Sequence, residues 1–153
     1  MPVNMYKVLK DLMSAPAVTG FEEPRRKKII EYYSKYCDSV TVDVMGNIAG
    51  TIGSGEKAVM LSGHYDQIGF LVKYVDDKGY ASFDPVGGWD PRVAYGTRVK
   101  IWVGEDDYVV GTIGTKAAHL TDPGEREKAI PIKDMRMDFG ASNTEEAAKM
   151  GVK

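Results

Sequence analysis

Apolar positions along the first 40 residues recur with a helical period. Met5, Val8, Leu9, Leu12 and Met13 form one stripe over Val3 to Met13, and Ser14-Ala15-Pro16 ends it. Thr19-Gly20-Phe21-Glu22-Glu23-Pro24 reads as a second helix start, with a Ser/Thr-type cap, acids in the first turn and a dispensable N–H at proline. This helix is expected to run through Ile29, Ile30, Tyr33 and Tyr36. Its Arg25-Arg26-Lys27-Lys28 run belongs on a solvated face, balanced by the acids before it.

From Ser39 the period becomes two. Val40 to Val44 reads as a strand, Met45-Gly46-Asn47 as a turn and Ile48 to Ile52 as the returning strand. Ala58-Val59-Met60-Leu61-Ser62-Gly63 is nearly continuous in apolar character, which predicts a strand buried on both faces. Two helices, paired strands and a buried strand predict an α/β layer structure. The character shifts after about Gln67. Strands are expected at Ile68–Val75, Tyr80–Phe83, Arg98–Val103, Tyr108–Ile113 and Met135–Phe139, with a helical turn over Thr121–Lys128. A last helix, Thr144–Met150, ends at Gly151. Short strands with glycine turns predict a small β-rich barrel or sandwich. The fold class is therefore α/β followed by a β-rich domain, divided into 1–67 and 68–153.

Composition narrows the function. The 153 residues carry 20 basic and 22 acidic side chains, a balance that favours neither nucleic acid nor a membrane surface. No apolar run reaches the roughly 20 residues of a membrane span. The single Cys37 forms no internal disulfide, as expected of a cytoplasmic protein. Two histidines and one cysteine cannot build a Cys/His structural zinc site.

His64 and Asp66 are the most informative pair. They follow the predicted buried strand, where ligands gather in α/β sheets, and a spacing of two puts them on one side. Neutral imidazole is a good zinc or cobalt ligand, and a neighbouring carboxylate fixes its tautomer. From spacing alone, a strand-end histidine bonded to the next turn is the better reading, because a single His-x-Asp is a weak signal.

The flanks favour the ligand. Gly63-His64-Tyr65-Asp66-Gln67-Ile68-Gly69-Phe70 resembles the His-x-Asp-Glu/Gln-Ile-Gly segment of the M42 metallo-aminopeptidases. That family includes glutamyl aminopeptidase and the TET peptidases, with some members labelled endoglucanase or cellulase M. Further matches are Thr19-Gly20-Phe21-Glu22-Glu23, Asp43-Val44-Met45-Gly46-Asn47, Val86-Gly87-Gly88-Trp89-Asp90-Pro91 and Gly111-Thr112-Ile113-Gly114. The resemblance covers essentially the whole chain.

It implies a peptidase that removes N-terminal residues from peptides, using two zinc or cobalt ions and an activated water. It makes residues 1–67 the first part of the catalytic α/β domain. Residues 68–153 become an incomplete β-rich domain for dimerisation and assembly. Carried over by motif, His64 is a metal ligand and Asp66 the residue that orients it. The family's other ligands and its general base lie beyond the inserted β domain, and the chain ends at Lys153 before them. The chain is therefore expected to supply at most one direct ligand and to be inactive alone. It is expected to form homo-oligomers, or to need a C-terminal partner segment. A non-catalytic oligomerisation module is the alternative. Endoglucanase activity has no motif fixing the required carboxylate pair.

Weaker signals have simpler readings. His119 lacks the prolines that precede it in the family segment and reads as a loop or interface residue. Trp89-Asp90-Pro91-Arg92 reads as a glycine-set turn with a packed indole. Cys37 has no partner for nucleophilic chemistry, and Glu22-Glu23 suit a helix start. Gly53-Ser54-Gly55-Glu56-Lys57 lacks Walker spacing. Without later neighbours, Ala58 to Gly63 is expected to expose apolar surface and strand edge, favouring self-association.

Overall fold

Asn4 opens α1 (Met5–Ser14) by accepting the Lys7 N–H on its side chain at 3.1 Å. The computed structural model describes residues 3–104, 106–117, 120, 124 and 128–153. These fall into two compact units, Met1–Gln67 and Ile68–Lys153. No helix among the described residues is long and apolar enough to cross a membrane.

In the first unit, α1 is followed by α2 (Glu23–Tyr36) and by an antiparallel hairpin of β1 (Ser39–Val42) and β2 (Ile48–Thr51). The predicted α1 stripe divides. Val8 and Leu12 are half-buried, while Met5, Leu9 and Met13 are exposed. Asp11 joins the inward side, bonding Lys28 Nζ at 2.8 Å and the Tyr32 hydroxyl at 3.1 Å.

Two expectations for α2 are corrected. Thr19 does not cap it: Glu22 is the N-cap residue, and its carboxylate accepts the Gly20 N–H at 2.7 Å. The basic run is also not uniformly solvated, because Arg25 is only 5% exposed. The hairpin turn is locked by Asp43, which accepts N–H groups from Met45 and Asn47 at 2.9 Å each and the Asn47 amide at 2.7 Å. Gly46 is required there. Its φ is +87°, and a Cβ would lie 2.6 Å from the Arg26 guanidinium.

Ala58 to Gly63 departs furthest from expectation. It forms no strand pairing, and Val59, Met60 and Leu61 are 91%, 86% and 95% exposed. The apolar run is legible, but the described residues leave it exposed.

The second unit is one five-stranded antiparallel sheet in the order β3-β4-β7-β6-β5. Its strands are β3 (Gly69–Val75), β4 (Ala81–Val86), β5 (Arg98–Trp102), β6 (Tyr108–Gly114) and β7 (Arg136–Asp138). The short helix α3 (Pro91–Ala94) precedes β5, and α4 (Thr144–Lys149) follows the sheet. Phe83, Ile101, Ile113, Met135, Met137, Phe139 and Val152 are buried together in its core. The β3–β4 turn needs Gly79, with φ +84° and a Cβ position 2.1 Å from the Ala141 carbonyl oxygen. Asn143 and Glu146 close the α4 start reciprocally, through the Glu146 and Ser142 N–H groups. His119 and the turn expected at Thr121-Asp122-Pro123 lie outside the described residues.

Candidate functional site

His64 and Asp66 sit near the end of the first unit, in the extended segment that runs on from the exposed apolar residues. The structure brings them together: His64 Nδ1 lies 2.7 Å from Asp66 Oδ1. Facing an ionised carboxylate, Nδ1 carries the ring proton and Nε2 is the remaining nitrogen. The His64 side chain is 86% exposed and that of Asp66 35%.

The other Asp66 oxygen is also engaged. Oδ2 accepts the Thr19 hydroxyl at 2.7 Å. The Thr19 bond first, and the His64 ring second, hold the Asp66 carboxyl below its ordinary pKa.

Segment 64–67 is fixed by a buried cation. Arg25, on the first turns of α2, donates Nη1 to the Tyr65 carbonyl at 2.9 Å and Nη2 to Gln67 Oε1 at 2.6 Å. Nη2 also reaches the Ala15 carbonyl at 2.8 Å, and Nε the Leu12 carbonyl at 3.1 Å. All four acceptors are neutral. Burial accordingly lowers the arginine pKa from its very high ordinary value. Gln67 N–H donates to the Ala17 carbonyl at 2.8 Å, and Val18 bridges Gln67 in parallel. On the other side, the Tyr65 hydroxyl donates to the Gly46 carbonyl at 2.9 Å. The Thr19-Gly20-Phe21 and Asp43-to-Asn47 motifs thus converge on residues 64–67, far from them in sequence.

Neither Thr19 nor Arg25 is singled out by local pattern. Thr19 looks like a helix cap and Arg25 like one cation in a solvated run. The available signal for Thr19 is its place in a family motif.

In the second unit, Trp89 stacks on Phe70 with ring centroids 4.3 Å apart and donates Nε1–H to the Gly69 carbonyl at 2.8 Å. Asp90 caps α3 through the Arg92 N–H at 3.0 Å. A turn with a packed indole describes this motif. Cys37 is a free, half-buried thiol.

No three His, Cys, Asp or Glu side chains come together as an ion would need, among the described residues. One imidazole nitrogen is available at His64. A pair of divalent ions does not fit the described residues.

A model of the M42 glutamyl aminopeptidase family matches residues 46–153. Among solved structures, a TET aminopeptidase from the marine sediment archaeon Thaumarchaeota archaeon SCGC AB-539-E09 superposes with a TM-score of 0.87 at 35% identity. It covers 97% of this chain and 42% of its own. The TET1 peptidase of Pyrococcus horikoshii, which can assemble into a tetrahedron or a large octahedral shell, gives 0.81 at 34% identity, over 95% and 43%. A curated relative, the lysyl aminopeptidase of Pyrococcus furiosus, is 27% identical over 148 residues, 95% of this chain and 42% of its own length. The chain spans about two fifths of the curated relatives it matches. On the family-model match, with the fold agreeing, the chain belongs to the M42 glutamyl aminopeptidase family.

Proposed function

We propose that this chain contributes the N-terminal part of a metal-dependent aminopeptidase that releases N-terminal residues from peptides in the cytoplasm. Residues 1–67 belong to the catalytic α/β domain. Residues 68–153 belong to the β-rich domain for dimerisation and assembly. His64 offers its ring Nε2 as a ligand to zinc or cobalt, and Asp66 orients the ring. The remaining ligands and the general base come from polypeptide outside these 153 residues. The observation that carries this reading is the His64–Asp66 bond in the family's His-x-Asp segment, where among the described residues no third metal-binding side chain joins them.

The test is cleavage of amino-acyl anilides by the chain alone, and by the chain co-expressed with a polypeptide matching the rest of its relatives. The expected result is no turnover alone and chelator-sensitive turnover together. Robust metal-dependent cleavage by the lone chain overturns the division of ligands. Absence of cleavage by a stably assembled pair overturns the peptidase reading.

A second reading is a non-catalytic oligomerisation module, either self-assembling or completing a partner chain. The exposed Val59-Met60-Leu61 run favours it, since contiguous apolar surface of this kind marks an interaction site. Light-scattering mass and elemental metal analysis, with and without the C-terminal segment, separate the two readings. A stoichiometric metal pair acquired on assembly supports the enzyme, and assembly without metal the module.

A further inference from the structure

Asp66 has two carboxylate oxygens, and both are committed: Oδ1 to His64 Nδ1 and Oδ2 to the Thr19 hydroxyl, each at 2.7 Å. The second bond comes from 47 positions away in sequence, so it is not a by-product of local chain geometry. We propose that Thr19 is a positioning residue for the candidate site: its hydroxyl fixes the Asp66 carboxylate so that His64 is held with the proton on Nδ1 and the Nε2 electron pair presented outward.

The physical need is clear. An exposed ion pair contributes little by itself, because water competes for both partners and side-chain freedom is lost. The His64 ring is mostly solvated and Asp66 is about one-third exposed, so their mutual bond alone leaves the carboxylate free to turn. A free histidine side chain prefers the proton on Nε2. Holding it on Nδ1 therefore requires a standing acceptor at that nitrogen, and the bond made by one ring nitrogen decides the state of the other. The Thr19 bond provides the standing acceptor by removing the rotational freedom of Asp66.

Thr19 is itself fixed. Its N–H reaches the Gln67 carbonyl at 3.4 Å, while Gln67 bonds back to Ala17 at 2.8 Å. Arg25 holds the Gln67 side chain at 2.6 Å and the Ala15 carbonyl at 2.8 Å, tying the two segments that carry Thr19 and Asp66 to one guanidinium. In the folded unit the hydroxyl thus meets the carboxylate from a backbone bonded to the segment that carries Asp66. Thr19 is exposed, so its replacement by an isostere leaves no cavity.

This inference rests on the reading of His64 as an Nε2 donor, and its test uses the chain without metal so that the two can fail separately. Histidine ring ¹⁵N spectra are recorded on the full chain at a pH of about 9, where an ordinary imidazole is neutral. His119→Gln assigns the remaining signals to His64, since the chain has two histidines. The wild type is expected to show a single Nδ1–H tautomer. Thr19→Val is expected to lose it, giving shifts averaged toward the Nε2–H form and resembling Asp66→Asn. Thr19→Ser is expected to restore the wild-type spectrum, which a purely steric role for the side chain would not do. Thr19→Ala carries the same test should the valine variant lose its amide fingerprint. A wild-type tautomer surviving in a folded Thr19→Val or Thr19→Ala chain overturns the positioning role. A wild-type ring already averaged between tautomers overturns it too. If the tautomer behaves as expected but the assembled enzyme of the previous section shows no metal at His64, the positioning stands and the ligand reading falls.

Discussion

At the scale of single residues, buried or doubly bonded polar groups decide how the candidate site is held. Arg25 is the clearest case, a buried cation whose four bonds all end on neutral oxygens. Replacing it by Met leaves the Leu12, Ala15 and Tyr65 carbonyls and the Gln67 side chain without their donor. The expected loss is about 3 kcal/mol, since buried acceptors left unpaired cost roughly 1–3 kcal/mol each and water recovers part of it. Arg25→Lys is expected to be nearly as costly, because one ammonium cannot reproduce the fork that spans these acceptors. Urea titration of both variants checks this; a lysine variant as stable as the wild type contradicts the clamp. Asp43 supplies a pH prediction. Hydrogen bonds from the Asn47 side chain and backbone hold its carboxyl below the ordinary value. A folded pKa below the unfolded one gives stability that is present above the unfolded value of about 3.9 and lost as pH falls through the folded value. Thermal melts between neutral and acid pH are expected to show a shallower acid limb in Asp43→Ala than in the wild type. An unchanged limb argues that the turn carries no such linkage.

At the scale of elements, the chain's patterns are legible wherever the partner is close in sequence. The β1–β2 and β3–β4 hairpins appear as read, because alternation and a glycine turn are contiguous in sequence, over Ser39–Thr51 and Gly69–Val86. Gly79 is decisive in the second: positive φ together with a Cβ position 2.1 Å from the Ala141 oxygen makes Gly79→Ala doubly unfavourable. Its expected cost is about 2–3 kcal/mol from backbone strain and the forced shift of a neighbouring carbonyl. Chemical denaturation monitored at Trp89 and Trp102, both in the same unit, measures it; a neutral substitution contradicts the close approach. Patterns fail where the deciding partner is distant. Thr19 satisfies every local criterion for a helix cap, yet its hydroxyl serves a carboxylate 47 residues on. Arg25 looks like its three basic neighbours, and only the approach of residues 65–67 distinguishes it. The same physics explains why His64 and Asp66 are legible as a pair at a spacing of two, while the two residues that stabilise them are not.

At the scale of the whole molecule, the two units differ in what they bury. The second encloses Phe83, Ile113, Met135, Met137 and Phe139 in one core. In the first, the described buried residues are small or polar: Ala15, Pro16, Ala17, Arg25 and Gly46. Its larger apolar side chains are at most half-buried, and Leu9, Met13, Val59, Met60 and Leu61 are exposed. Apolar burial contributes about 25 cal/mol per Å², so a unit of this length without large buried side chains has little to set against its chain entropy. The first unit is therefore expected to open far more readily than the second. Hydrogen exchange on the lone chain should protect the amides of β4, β6 and β7 and leave those of residues 57–66 at nearly free rates. Lone-chain samples should also self-associate as concentration rises, with Val59 and Leu61 as the contact. Changing both to Lys should suppress that association without altering the protection of the second unit. Association undiminished by these charges places the contact elsewhere. Strong protection across residues 57–66 in a dilute monomer would show that the apolar run is already satisfied and needs no further polypeptide. The co-expressed C-terminal segment gives the converse result under the proposed function: protection appears at residues 57–66 only in the assembled sample. The Val59→Lys, Leu61→Lys chain should then fail to assemble, because a segment that becomes buried on assembly cannot accommodate two unpaired ammonium groups.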